Sequence, residues 1–399
     1  MKIAVLGFGT VGSGVYEVIE RNYETIAKRA GEVVDIKYVL DLRDFPGQPV
    51  QSVLTHNYKD IVDDPEVQIV VEVMGGVEPA YTFVKEALLK GKSVCTSNKE
   101  LVAKHGAELL EIAKQKRINF LFEASVGGGI PIIRPLNQSL TADEIEEITG
   151  ILNGTTNYIL SKMRDEGLDF DVVLKQAQEL GYAERNPEAD VEGYDACRKI
   201  AILTSLAYGM QVDYEDIYTE GITKITKTDI RYATKLGANI KLFGTSKKIK
   251  DKVYAMVAPK MIQDKHPLYS VNDVYNGILV KGNLLGDVMF YGSGAGKYPT
   301  ASAVVSDVVD ATKHQGKNIM TLWSSKQLKL ADMSSYESKF FVRVPQNQKE
   351  KALSTFTVDS TVTLDGVDEF AFITVKMSEA AFNTKAKELE INNRIRVEF

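Results

Sequence analysis

The chain has 399 residues, 44% apolar, 26% charged and 9% aromatic, enough for two or three domains with cores of their own. Its 48 Lys and Arg against 54 Asp and Glu leave a net charge of −6, which excludes a basic nucleic-acid surface or a polybasic membrane anchor. No apolar run reaches the roughly 18 residues of a membrane span, and the opening stretch lacks a leader's cleavage site, so a cytoplasmic protein is expected.

The first third alternates two signals. Short apolar runs at Ile3–Leu6, Ile36–Leu40, Ile69–Val73, Ser93–Cys95 and Phe120–Phe122 predict strands buried on both faces of a parallel sheet. Between them, Thr10–Arg29, Pro79–Leu89 and Leu101–Lys114 carry helical periodicity. Strict alternation predicts an α/β fold with an open, doubly wound (Rossmann) domain over residues 1–130. Residues 151–209 read as mainly helical, ending in Ala196–Tyr208, and Val253–Pro259 and Ile278–Lys281 read as strands of a second, antiparallel sheet. Ala301–Ala311 completes an α+β domain over 131–320, and a polar link at Ser324–Ser338 leads to a third unit over 339–399. There the strands are Phe340–Val344, Ser360–Leu364, Glu369–Ser378 and Arg394–Phe399, with helices at Lys349–Phe356 and Glu379–Leu389. Phe399 is expected inside with Ile395 and Val397.

Gly7-Phe8-Gly9-Thr10-Val11-Gly12 is a GxGxxG between a strand and a helix. Glycines at these points permit a tight turn, close backbone approach to a pyrophosphate and close helix–strand packing, and the helix N-terminus offers free N–H groups. A glycine-rich turn alone is weak. Opening a βαβ unit at this place, it predicts dinucleotide binding. The second strand ends in Asp41 and Arg43: an acid there suits the ribose of NAD, an arginine the 2′-phosphate of NADP. Both are present, and the balance leans to NADP. Met74-Gly75-Gly76, Thr96-Ser97-Asn98-Lys99 and the segment from Glu123 to Gly129 also follow strands and should face the same crevice, bringing Gly75 and Lys99 to the cofactor.

A polar cluster follows at Gly181-Tyr182-Ala183-Glu184, Asp190, Asp195 and Lys199. Asp195 and Lys199 are four apart and share a helix face. Taken alone, that spacing reads as an exposed ion pair of a few tenths of a kcal/mol. The functional reading is an acid/base lysine oriented by a carboxylate. Cys95 and Cys197 have no histidine near them in sequence and read as small buried residues, and two cysteines cannot form a disulfide framework.

Together, GFGTVGSGV, VEVMGGVEP, SNKELVA, EASVGGGIPII, GILNGTTNYILSKM and GYAERNPEADVEGYDACRKIAIL resemble homoserine dehydrogenase over nearly all of residues 1–320. The resemblance implies reversible NAD(P)H-dependent reduction of L-aspartate 4-semialdehyde to L-homoserine, on the route to threonine and methionine. It implies Lys199 as the catalytic lysine, Lys99 as a second functional lysine, and Glu184, Asp195 and Gly181 as substrate-binding positions. It further implies a Na+ or K+ site, built mostly from backbone carbonyls, at Glu123, Val126, Gly128 and Ile130, and a homodimer or homotetramer. Phe45-Pro46-Gly47 stands where many relatives carry further basic residues after Arg43. The βαββαβ order of 339–399 resembles an ACT-like module, either a threonine sensor or a reinforcement of the oligomer. Hydride transfer is expected to survive in a chain ending near Ser335.

Two other readings compete. An aldehyde dehydrogenase working through a thioester needs a cysteine nucleophile, so alkylation with retained activity would exclude it. A non-catalytic dinucleotide sensor would leave NADPH absorbance unchanged with aspartate semialdehyde.

Overall fold

Lys2–Leu6 forms an inner strand of a six-stranded parallel sheet ordered Leu54–Thr55, Asp35–Leu40, Lys2–Leu6, Val67–Glu72, Ser93–Thr96, Phe120–Leu121. Four of its five residues are buried, as the apolar run requires. Strand order reverses between Lys2–Leu6 and Val67–Glu72, so a crevice opens there at the carboxyl ends of the strands. The helix expected over Thr10–Arg29 is two, Thr10–Arg21 and Tyr23–Ala30. Asn22 leaves the helical region (φ −110°, ψ 20°) and ends one while starting the other.

The computed structural model describes residues 1–399 in two units. The first contains Met1–Glu144, Ala201–Tyr214 and Phe290–Leu328, and the second Ile145–Ile200, Glu215–Met289 and Lys329–Phe399. Within the stretch 131–320, residues 131–144, 201–214 and 290–320 pack with the first unit. The physical reason is the helix Lys297–Lys313, whose Ala301, Val304, Val305, Val308 and Ala311 share one buried core with Ile3, Val5, Val15 and Ile19. Gly14 lets the helices approach, because a Cβ there would lie 2.9 Å from the Lys297 carbonyl oxygen and 3.0 Å from the Ala301 Cβ.

The second unit is built on a large sheet. Ile145–Ile151 pairs antiparallel with Tyr275–Gly282 on one side and Ala238–Ile249 on the other. Ala238–Ile249 turns back at Lys250 into Lys252–Gln263. The helices Gly154–Glu166 and Phe170–Glu179 and the start of Tyr194–Tyr208 belong to this unit.

Glu337–Pro345, Val358–Val362, Glu369–Thr374 and Asn393–Val397, with helices Lys349–Thr355 and Glu379–Ala386, give the order βαββαβ. In space the strands lie fourth, first, third, second. Phe340, Val342, Phe356, Phe372 and Phe382 form a core beneath one face. The other face also meets protein: the Phe341 ring lies 5.5 Å from that of Tyr232 on the helix Lys227–Lys235. Burial on both faces explains why Phe370–Ile373 does not alternate. The strand expected through Ser378 ends at Thr374, and the last strand ends at Val397, which leaves Phe399 37% exposed rather than inside.

This C-terminal segment continues the large sheet. Asn393–Val397 runs parallel to Lys252–Gln263, and the Glu398 N–H donates to the Met261 carbonyl at 3.0 Å. Charged pairs cross the seam: Arg396 donates to Glu220 (2.9 Å), Arg343 to Asp229 (2.8 Å), and Lys260 to Glu398 (2.5 Å), while within the segment Arg396 also donates to Glu379 (2.6 Å).

Candidate active site

The glycine loop divides its labour. Gly7 has φ +96°, a conformation that favours glycine. A Cβ on Gly12 would fall on the Gly7 carbonyl, so that glycine lets helix and strand touch. A Cβ on Gly9 would meet nothing within 4 Å, so that glycine keeps an approach open. The helix beginning at Thr10 has no side-chain cap, so the N–H groups of its first turn are not taken by a capping side chain and suit a pyrophosphate. The chain thus fits a dinucleotide on steric grounds as well as by motif.

Asp41 anchors this loop. Its Oδ2 accepts from the Phe8 N–H (2.8 Å), and its carboxylate takes the Arg43 guanidinium through Nε at 2.9 Å. The Arg43 side-chain bonds, then burial working against them, leave the Asp41 carboxyl well below the usual carboxylate range. Arg43 also reaches the Phe8 carbonyl at 3.2 Å, yet its side chain remains 62% exposed.

Glu72, fully buried at the end of its strand, joins two of the strand-end loops. It accepts from the Met74 N–H (2.8 Å) and the Thr96 hydroxyl (2.6 Å), and burial pushes its pKa up. Asn98 extends the link, donating to the Gly76 carbonyl at 2.6 Å and capping the helix Lys99–Lys116. Gly75 (φ +82°) and Lys99 are held by these bonds at one edge of the first unit. Sequence reasoning passed over Glu72, although an acid closing an otherwise apolar strand was a signal.

The Glu123 carboxylate is committed elsewhere: it accepts from the N–H groups of Ile132 (2.6 Å), Ile133 (2.8 Å) and Arg134 (2.7 Å). Arg134 is held in turn by Asp307 (2.7 Å) and Asp310 (2.6 Å). A cation can therefore meet Glu123 only through its main chain. Val126, Gly128 and Ile130 lie on the adjoining turn, where Gly127 and Gly128 have positive φ. A Cβ on Gly128 would collide with Gly294, so the turn is tight by construction. No group of three or more His, Cys, Asp or Glu side chains could hold a metal. Neutral carbonyls alone suit a hard ion of low charge better than a divalent one.

In the second unit, Lys199 Nζ donates to Asp195 Oδ2 at 2.6 Å and to the Leu152 carbonyl at 2.8 Å. Asp195 is 3% exposed and the Lys199 side chain 12%, so the exposed-pair reading of the spacing is wrong. The helix start lies inside the unit because a strand turns there: Leu152 and Asn153 follow Ile145–Ile151 directly. Asn153 Nδ2 donates to both Asp190 (2.7 Å) and Asp195 (2.8 Å). Thr155 Oγ1 donates to the Tyr182 carbonyl at 2.6 Å, pinning the loop that carries Glu184. Gly181 (φ +75°) turns the chain from the helix Phe170–Glu179 into that loop, and Glu184 itself is exposed. The segment from Leu152 to Thr155 is thus an organiser of the cluster. Sequence reasoning used it as a family signature and gave it no role in the site.

Cys95 and Cys197 are both buried. Burial first, then Asp307, pushes the Cys95 thiol well up, the opposite of a thioester-forming nucleophile.

A doubly wound parallel sheet with a glycine loop at its switch point, and a buried lysine–carboxylate pair elsewhere in the chain, define a nicotinamide-dependent oxidoreductase. The family model of homoserine dehydrogenase matches residues 131–309, and that of the homoserine dehydrogenase NAD-binding domain matches residues 7–123. A homoserine dehydrogenase of Synechocystis is 49% identical over 319 residues, covering 78% of this chain and 73% of its own. The crystal structure of a homoserine dehydrogenase from Thiobacillus denitrificans superimposes with a TM-score of 0.92 at 37% identity, covering 100% of this chain and 98% of its own. A hyperthermophilic archaeal homoserine dehydrogenase in complex with NADPH has a TM-score of 0.67 at 30% identity, covering 78% of this chain and 97% of its own. The chain belongs to the homoserine dehydrogenase family. It is an NAD(P)-dependent oxidoreductase that interconverts L-aspartate 4-semialdehyde and L-homoserine in amino-acid biosynthesis. No helix is long and apolar enough to cross a membrane.

Proposed function

We propose that Lys199 is the general acid and base of this reaction, with Asp195 as its positioning carboxylate. The observation that carries the reading is the part-buried Nζ fixed between Asp195 Oδ2 (2.6 Å) and the Leu152 carbonyl (2.8 Å). The nicotinamide, when bound, supplies or receives the hydride. In the reducing direction Lys199 gives a proton to the carbonyl oxygen as negative charge gathers there, and in the other direction it removes that proton from the hydroxyl. Glu184 binds the substrate ammonium, Gly181 shapes its loop, and Lys99 serves as the second functional lysine. Lys199→Ala should lower turnover by roughly 100-fold or more while cofactor affinity holds, because general acid–base catalysis contributes ~10²–10⁴. A Lys199→Ala enzyme with full turnover would overturn the assignment.

The cofactor reading rests on the same geometry. Residues Gly7 to Gly12, with Gly75 and Lys99, would hold the pyrophosphate and nicotinamide side, and Arg43 the 2′-phosphate of NADP. The exposure of the Arg43 guanidinium favours NADP over NAD. The carbonyls of Glu123, Val126, Gly128 and Ile130 would take Na+ or K+. Residues 1–130 would thus serve the cofactor, 131–320 the substrate and a homodimer or homotetramer, and 339–399, as an ACT-like module, threonine sensing or reinforcement. A cytoplasmic setting fits a chain of this composition and chemistry. Threonine added to the full chain tests the sensor: inhibition reflecting a coupling of ~1–3 kcal/mol would support it, and no effect leaves reinforcement alone.

A further inference from the structure

We infer that Asn153 is a positioning residue for the proton-transferring pair: its amide holds Asp195 while Lys199 gains and loses its proton. The inference rests on the assignment of Lys199 above. Asp195 Oδ2 accepts from two donors, Lys199 Nζ at 2.6 Å and Asn153 Nδ2 at 2.8 Å. One donor changes charge during the reaction and the other does not. When Lys199 is neutral, the amide still binds the carboxylate, so Asp195 stays where the returning proton needs it.

The orientation of the amide is settled by its own bonds. Oδ1 accepts from the Thr156 N–H at 2.9 Å and its hydroxyl at 3.1 Å, capping the helix Gly154–Glu166. Nδ2 faces carboxylate oxygens of Asp190 and Asp195 at 2.7 and 2.8 Å. Turning the amide over would set an N–H₂ against the Thr156 N–H and a carbonyl against two carboxylates, three repulsive contacts. The residue before it completes the arrangement. The Leu152 carbonyl takes a second proton of Lys199 Nζ at 2.8 Å. An ammonium has three protons in tetrahedral array, so fixing two of them aims the third. Two consecutive residues therefore supply the acceptor that aims the lysine and the donor that steadies its counter-ion.

The capping role separates structure from chemistry in the test. Serine caps a helix as asparagine does but has no amide donor that can reach two carboxylates. Asn153→Ser should keep its thermal midpoint within a few degrees and lose roughly 10-fold or more in kcat, with KM for the cofactor little changed. Asn153→Asp also caps, and adds a third carboxylate beside Asp190 and Asp195. More negative charge beside the pair favours bound protons, so the pH–rate profile of this variant should shift upward relative to wild type. Asn153→Ser and Asn153→Asp enzymes with wild-type kcat and unshifted pH profiles would overturn the inference. Lys199→Ala is measured alongside: if it is active, the lysine assignment itself fails, whereas an inactive Lys199→Ala with normal Asn153 variants refutes only the role of Asn153.

Discussion

The Arg43 guanidinium closes on the Asp41 carboxylate, Nε to Oδ1 2.9 Å, and that carboxylate in turn holds the Phe8 N–H of the glycine loop at 2.8 Å. The residue proposed to meet the 2′-phosphate of NADP is thereby wired to the glycine loop. Charge-assisted bonds of a guanidinium to a phosphate are worth ~1.5–3 kcal/mol, or roughly 10–100-fold. Arg43→Ala should raise KM for NADPH by about that factor and leave KM for NADH within about 2-fold. Equal losses with both cofactors would mean that Arg43 acts only through Asp41 and the loop.

Two glycines three residues apart should respond in opposite ways. A Cβ on Gly9 meets nothing within 4 Å, so Gly9→Ala should fold with an unchanged melting temperature but bind NADPH roughly 10-fold more weakly. A Cβ on Gly12 would strike the Gly7 backbone, so Gly12→Ala should lower the melting temperature itself. Thermal scans with and without NADPH distinguish the two. A stable Gly12→Ala with normal affinity would contradict the packing described.

The C-terminal segment is not removable without cost. A chain ending near Ser335 loses Arg343, Arg394, Arg396 and Glu398, the partners of buried Asp229, part-buried Glu220 and buried Lys260. The expectation from sequence, that such a chain keeps hydride transfer, gives way to the opposite one: it should be insoluble or strongly destabilised. Removing one partner of a buried pair typically costs ~3–5 kcal/mol, so Arg396→Met alone should lower the urea midpoint clearly. A soluble, active truncation would show that the seam is dispensable.

Lys241 provides a pH test. It is 1% exposed, and its Nζ donates to Asn157 Oδ1 (3.1 Å), the Val271 carbonyl (2.5 Å) and Asn272 Oδ1 (3.0 Å). Burial first, then Arg164, lowers its pKa to about 7, with Asp165 and Asp273 opposing. Between that value and the ordinary lysine value of ~10.4, the unfolded chain holds a proton that the folded chain has shed. Stability from this group should therefore rise with pH across that window, by about 1.4 kcal/mol per unit. Urea midpoints from about pH 7.5 to about pH 9.5 should rise in the wild type relative to Lys241→Met. Parallel curves would show that the three acceptors keep the ammonium charged throughout.

The sequence by itself determined the parallel sheet of the first unit, the glycine loop at its switch point, and the i, i+4 pairing of Asp195 with Lys199. Each is a local property: apolar runs buried on both faces, a turn that favours glycine, and a helical repeat that puts two side chains on one face. The strand Ala238–Ile249 escaped notice because its buried positions include Lys241 and Gly244, which no apolar pattern shows. Tertiary structure alone decided that Lys297–Lys313 completes the first core and that Asn393–Val397 continues the sheet of Lys252–Gln263. It alone placed Asn153 across two carboxylates, and it alone withdrew Asp195 and Lys199 from solvent. Spacing along a chain fixes which side chains share a face, but burial and partners depend on segments far apart in sequence. That is why an ion pair worth a few tenths of a kcal/mol on an open helix can become, under cover, the proton-handling centre proposed for this enzyme.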